Sequence, residues 1–197
     1  MRRSLSLVTL LLIVSALPLS ASQFIQLPFD RVAREASLVV RGTVENTWSA
    51  WDDSHEVIFT YGTVRVSRYF GETTGPDTVV VREVGGTVDG YTQEAIGFPA
   101  IRTGENVVLM LSRWEDGADD YRIHAFNQGK YLVRMNGAQE ILIDDPIKQG
   151  DARLGSDREH GPRSNAVEAP AGLSIDEFAQ MVVDARADRR SDIGKRQ

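Results

Sequence analysis

The sequence contains no cysteine at all. That excludes disulfide cross-links, thiol chemistry and every cysteine-ligated zinc site. No asparagine stands in an Asn-x-Ser/Thr sequon: Asn46, Asn106, Asn127, Asn136 and Asn165 all fail the pattern. Aromatic residues are 8% of the chain and prolines number seven. No hydrophobic run after residue 22 is long enough to span a bilayer, which takes about 20 apolar residues. What remains is ordinary globular composition: 197 residues, 42% hydrophobic and 25% charged. The length suits one domain with tails, and a core of that size does not need covalent staples.

The N-terminus reads as an export signal over residues 1–22. Arg2 and Arg3 supply its positive end, Leu5 to Leu17 its short apolar stretch, and Pro18 breaks that stretch. Leu19-Ser20-Ala21-Ser22 offers small residues for cleavage after Ala21 or Ser22. No transmembrane segment is expected after cleavage. The whole chain has a formal net charge of −6, and loss of the leader makes it two units more negative. Such a surface argues against nucleic acid, whose binding depends on neutralising phosphates, and against anionic lipid. An exported chain without cysteines or sequons fits a bacterial periplasmic or extracellular protein.

The mature chain is mostly β-patterned. Phe29, Val32, Ala33 and Ala36 recur at helical spacing and predict one short helix. Leu38, Val40, Gly42 and Val44 then alternate with Val39, Arg41 and Thr43, as a strand does; the strand continues, bent, to Trp51. Asp52-Asp53-Ser54 is a turn signal. Further strands are expected at Val57–Phe70, Thr78–Val84, Val107–Trp114, Tyr121–Phe126, Lys130–Met135 and Glu140–Ile143. Asn136-Gly137 marks a hairpin. Gly62 suggests a bulge or a sharp coil within the second strand. Residues 144–172 lose the pattern and read as a polar excursion. A helix follows over residues 173–190. Ser174 and Glu177 form a capping box, and Leu173 and Phe178 occupy the positions of a hydrophobic staple. Its apolar stripe is Ile175, Phe178, Met181, Val182 and Ala185, with Arg186, Arg189 and Arg190 toward its negative end.

The fold class expected is all-β with flanking helices: a small antiparallel OB-like barrel of five to seven strands over residues 23–143, plus a docked C-terminal amphipathic helix. The first two strands are long and each carries an internal glycine, which suits a five-stranded barrel that closes by coiling its longest strands. The run Ala36-Ser37-Leu38-Val39-Val40-Arg41-Gly42-Thr43-Val44 continues the case. So do Thr63-Val64-Arg65-Val66 with Phe70-Gly71, Val79-Val80-Val81-Arg82 with Gly85-Gly86, Gly97-x-Pro99, Gly104-Glu105 and Val107-Val108-Leu109-Met110-Leu111. Together, over about residues 30–135, they resemble a set of uncharacterised exported bacterial proteins. The strand layout of that set is similar to the netrin-like OB barrels, which include the tissue inhibitors of metalloproteinases. No activity comes with the resemblance. Those inhibitors chelate zinc through an N-terminal cysteine amine, and this chain has no cysteine.

Catalytic motifs are missing. His55, His124 and His160 sit in three unrelated segments with no His-x-x-x-His pair, so no metal site is expected. There is no Gly-x-Ser-x-Gly elbow. Gly129-Lys130 lacks the rest of a phosphate loop, and no helix follows Gly85-Gly86-x-x-x-Gly90, so no nucleotide and no other cofactor is implied. The acids at Asp52-Asp53, Glu115-Asp116, Asp119-Asp120 and Asp144-Asp145 lack calcium-loop spacing and read as solvated turns. Trp48, Trp51, Tyr61, Tyr69 and Trp114 read first as barrel core, and second as a surface that stacks on sugars or grips a peptide. Gly85–Ala100 is the longest connection within the barrel. Its Asp89, Tyr91, Gln93, Glu94 and Phe98 are the candidate ligand-binding residues, since long loops on rigid scaffolds carry binding. The expected function is an exported, non-catalytic binding module for an envelope or extracellular protein or a glycan. The rival is a hydrolase built on scattered acids and His124, recognisable if that ring and a carboxylate converge within hydrogen-bond reach. An accessory role in envelope assembly is a third reading.

Overall fold

The computed structural model describes residues 26–71, 75–145 and 170–194, with side chains of the last helix to Ala187. The expected leader, most of the polar excursion and His160 lie outside the described residues, as do the side chains of Arg189 and Arg190. The element order is α1 (Phe29–Glu35), β1 (Leu38–Trp51), β2 (Ile58–Tyr69), β3 (Thr78–Val84), β4 (Gly86–Val88), β5 (Tyr91–Gln93), β6 (Asn106–Arg113), β7 (Tyr121–Ile123), β8 (Lys130–Asn136), β9 (Gln139–Asp144) and α2 (Ile175–Gly194). β1 pairs antiparallel with β2 on one side and β6 on the other. β2 pairs with β3, and β3 meets β7 in parallel at Val81 and Tyr121. β7 returns antiparallel to β6 and closes the ring. The protein is therefore a closed five-stranded OB-like barrel, with β8 and β9 extending from β6 as two extra strands.

Alternation along the strands sorts their side chains into two cores. Val40, Val44, Val64, Val81, Leu109 and Ile123 fill the barrel. Val39, Val108 and Met110 point the other way, against Phe29 and Val32 of α1 and Phe178 and Val182 of α2. β6 is apolar on both faces because it walls both cores. The β1–β2 ladder slips twice, between Arg41 and Gly42 and between Val44 and Asn46. The second slip makes Glu45 an extra residue and reverses the facing of everything after it.

Three sequence expectations change here. Gly62 is no bulge, for β2 stays in register with β3 from Phe59 to Arg65. A Cβ at Gly62 would come within 2.7 Å of Ile101, so glycine is there to let Ile101 pack across the strand. The strand expected over Tyr121–Phe126 stops at Ile123. Ala125 (φ 56°) and Phe126 (φ 57°) take the left-handed region, which ends the strand and leads into a 3-10 turn at Phe126–Gly129. The β8–β9 turn also shifts by one residue: Asn136 pairs with Gln139 around Gly137 and Ala138.

The capping box of α2 forms as the sequence implies. The Glu177 N–H donates to Ser174 Oγ (3.2 Å), and the Ser174 N–H donates to Glu177 Oε2 (2.9 Å). Ser174→Ala should cost about 1 kcal/mol and lower the melting temperature by roughly 2–4 °C, readable in a thermal melt. The helix runs on to Gly194, and its last turn contains no basic residue. Arg186 has a different role from the one its sequence position suggests. Its guanidinium donates to the carbonyls of Ala33 (3.1 Å) and Ala36 (3.0 Å), capping the end of α1. Just before α2, the Leu142 N–H donates to the Leu173 carbonyl (2.9 Å), which covers the outer edge of β9.

Candidate functional site

The connection expected as a loop over Gly85–Ala100 begins with a hairpin. β4 and β5 pair around Asp89 (φ 50°) and Gly90 (φ 83°), a type I′ turn for which Asp-Gly is the favoured pair. After Gln93 the chain folds back across one mouth of the barrel. Under it lies a cavity of about 500 Å³, lined by Thr60, Val84 and residues 93–101, with Glu83 on its inner wall. The candidate residues therefore divide. Gln93, Glu94 and Phe98 line the cavity, whereas Asp89 and Tyr91 stand at the exposed hairpin end.

The covering segment is fixed at several points. Gln93 Oε1 accepts the Ile58 N–H, at the start of β2, at 2.7 Å. Thr60 Oγ1 donates to the Gly85 carbonyl at 2.7 Å. Phe98 meets Phe126 edge-on at 5.0 Å. Lys130, with none of its surface exposed, donates its ammonium to the Ala100 carbonyl (2.5 Å). The same ammonium pairs with Glu105 (2.7 Å) and Asp145 (2.8 Å). A buried ammonium requires such partners, and here they come from two segments, the connection before β6 and the residue after β9. Asp145, read from sequence as part of a solvated turn, is one of them.

Glu83 is the polar group that sequence reasoning passed over. It is 3% exposed, and its Oε1 accepts the Ile123 N–H of β7. Desolvation pushes its carboxyl up to about 8, although the Ile123 amide and the charge of Arg122 pull the other way. The signal was present in the sequence, because Val79, Val81 and Glu83 share one face of β3.

The aromatic residues occupy the outside of this end of the barrel. Trp48 (42% exposed) stacks flat on Tyr61 at 5.2 Å, and Trp51 meets Tyr91 edge-on at 6.0 Å. Trp114 and Phe59 clasp the Arg82 guanidinium at 4.7 and 5.0 Å, a favourable cation–π arrangement. Of the five aromatics expected in the core, Tyr69 alone packs against the barrel interior. Arg82 also pairs with Asp116 (2.5 Å) and Asp120 (3.1 Å), and Arg113 pairs with Asp119. Hydrogen bonding from Arg82 holds the Asp116 carboxyl below its usual range. Those three acids are therefore ion-pair partners and not simply solvated. Asp52 closes the β1–β2 turn by accepting from Ser54 Oγ and the Glu56 and Val57 amides, which hold its carboxyl down at about 2.

His124 lies elsewhere, beneath the end of α1. Its Nδ1 shares a hydrogen bond with Ser112 Oγ at 2.7 Å, and its Nε2 stands 3.7 Å from Glu35 Oε2. The second distance exceeds hydrogen-bond reach, and none of the three residues lines the cavity. Burial lowers the pKa of the ring, against the pull of the Glu35 carboxylate. Among the described residues no cluster of three or more histidines and carboxylates could hold a metal ion, and no helix is long and apolar enough to cross a membrane. No protein-family model matches the chain, and a search of curated proteins finds no match.

Proposed function

We propose that the protein is an exported, non-catalytic binding module that takes a small organic ligand from the envelope or the medium into the cavity at the barrel mouth. The observation that carries this reading is the cavity itself. Its volume of about 500 Å³ falls within the range of small-molecule sites, about 300–1,000 Å³. Its lining is mainly apolar with few polar groups, and a buried carboxylate forms part of its inner wall. Export rests on the leader pattern of residues 1–22 and on the anionic, cysteine-free composition.

An amide-resolved NMR screen of the full mature chain against a fragment library tests this. Hits should shift the amides of Gln93–Ile101 together with those of Thr60 and Glu83. Ala95→Phe, which puts a ring into the cavity, should abolish those shifts while leaving the thermal melt near that of the wild type. Hits confined to the Ser112–His124 side, or hits indifferent to Ala95→Phe, would overturn the reading.

A further inference from the structure

The cavity's charged lining is of one sign. Glu83 stands on its wall and Glu94 at its rim, and no lysine, arginine or histidine lines it. The cation closest in effect, Arg122, lies over the Trp114 and Phe126 rings at 5.1 and 5.9 Å. It is not a lining residue. One Glu83 oxygen is occupied by the Ile123 amide. The other has no protein hydrogen-bond partner among the described residues, and the side chain is almost wholly withdrawn from solvent. Of the other side chains in the lining, Thr60 and Gln93 are polar and Val84, Ala95, Ile96, Phe98 and Ile101 are apolar.

We infer that the ligand is a small primary amine on a compact apolar body, its ammonium donating to the free oxygen of Glu83 and its hydrocarbon lying against Phe98 and Ile101. This rests on the cavity being the binding site and names the chemistry it selects. An anionic ligand would find no lysine, arginine or histidine in the lining to offset its charge. A sugar would bring many hydroxyls to a wall that offers few partners, and each unpaired hydroxyl would weaken binding. An ammonium supplies the opposite charge that a buried carboxylate lacks, and a charge-assisted hydrogen bond is the strongest contact this wall can make. The raised pKa of Glu83 agrees: without a cation beside it, the carboxyl holds its proton.

The test is calorimetric titration of the full mature chain with three probes of equal length, hexylamine, hexanol and hexanoate, with benzylamine as a bulkier amine. The amines should bind about tenfold or more tightly than hexanol, and hexanoate most weakly. Glu83→Gln keeps an acceptor for the Ile123 amide but carries no charge, so it should erase the preference for amine and leave hexanol unchanged. The probe series on the wild type decides the matter even if that variant folds poorly. Equal binding of hexanol and hexylamine, or a preference for hexanoate, overturns the amine assignment while the cavity reading stands. No binding by any probe, with no response to Ala95→Phe in the fragment screen, removes both.

Discussion

Phe178→Ala should destabilise the protein by about 3–5 kcal/mol, the cost of emptying a fully buried aromatic position. Phe178 has no exposed surface. Its ring meets Phe70 edge-on at 5.2 Å and Phe29 at 5.7 Å, with Tyr131 tilted against it at 6.2 Å. Phe29 belongs to α1, Phe70 follows β2 and Tyr131 belongs to β8, so one side chain holds three parts of the fold to α2. Small relaxations cannot refill a space bounded by three rings. The melting temperature should fall by roughly 6–20 °C, at about 2–4 °C per kcal/mol for a chain of this size. Calorimetry of the wild type and variant side by side measures it. A variant that melts with the wild type would show that the helix is not docked in solution, and its apolar stripe would then be a surface for a partner.

Glu83→Gln should act through pH. Below about pH 4.5, the ordinary value for this carboxyl, the folded and unfolded chains both hold its proton. Between there and about 8 the unfolded chain releases the proton while the folded chain retains it. Stability therefore falls as pH rises through that window, because the folded state binds more protons. A shift of that size corresponds to at most ~4–5 kcal/mol at the alkaline end. Arg122, the charged group that acts on Glu83, reduces the effect. Glutamine does not titrate. The variant should match the wild type near pH 4.5 and melt well above it at pH 8. Stability curves that run parallel across the window would show that Glu83 titrates normally and is not desolvated. The carboxylate thus costs the fold stability at neutral pH, as binding groups commonly do when they are held ready for a ligand.

The barrel was legible because its evidence is local. Alternation in β1, β2 and β3, the turn residues between them and the capping box of α2 are all read within a few positions. What was not legible depends on events that cross the chain. Trp48 continues the inward series of Val40, Gly42 and Val44 if the alternation is followed without interruption, which is why it reads as core. The extra residue at Glu45 turns it outward, and nothing in Glu45 itself announces a bulge. Asp89-Gly90 was a hairpin signal that the loop reading overlooked. The partners of Lys130 come from Glu105 and Asp145, distant in sequence, and only the closed sheet brings them together. Within the candidate site, the segment that lines the cavity stands out in the sequence by its length. The division of its residues, with Gln93, Glu94 and Phe98 facing the cavity and Asp89 and Tyr91 beyond it, depends on where the hairpin ends and the fold-back begins.

β6 also gives the molecule its thermodynamic character. Leu109 and Leu111 belong to the barrel interior, Val108 and Met110 to the layer beneath the helices. Water reaching one side of this strand loosens the other, so the two cores cannot be dismantled in sequence as separate domains could. The chain should therefore unfold as a single cooperative unit, with one transition in a thermal melt. A lesion in the helical layer, far from the barrel mouth, is therefore felt at the cavity as a change in the fraction of molecules folded, with no shift in the geometry of those that are.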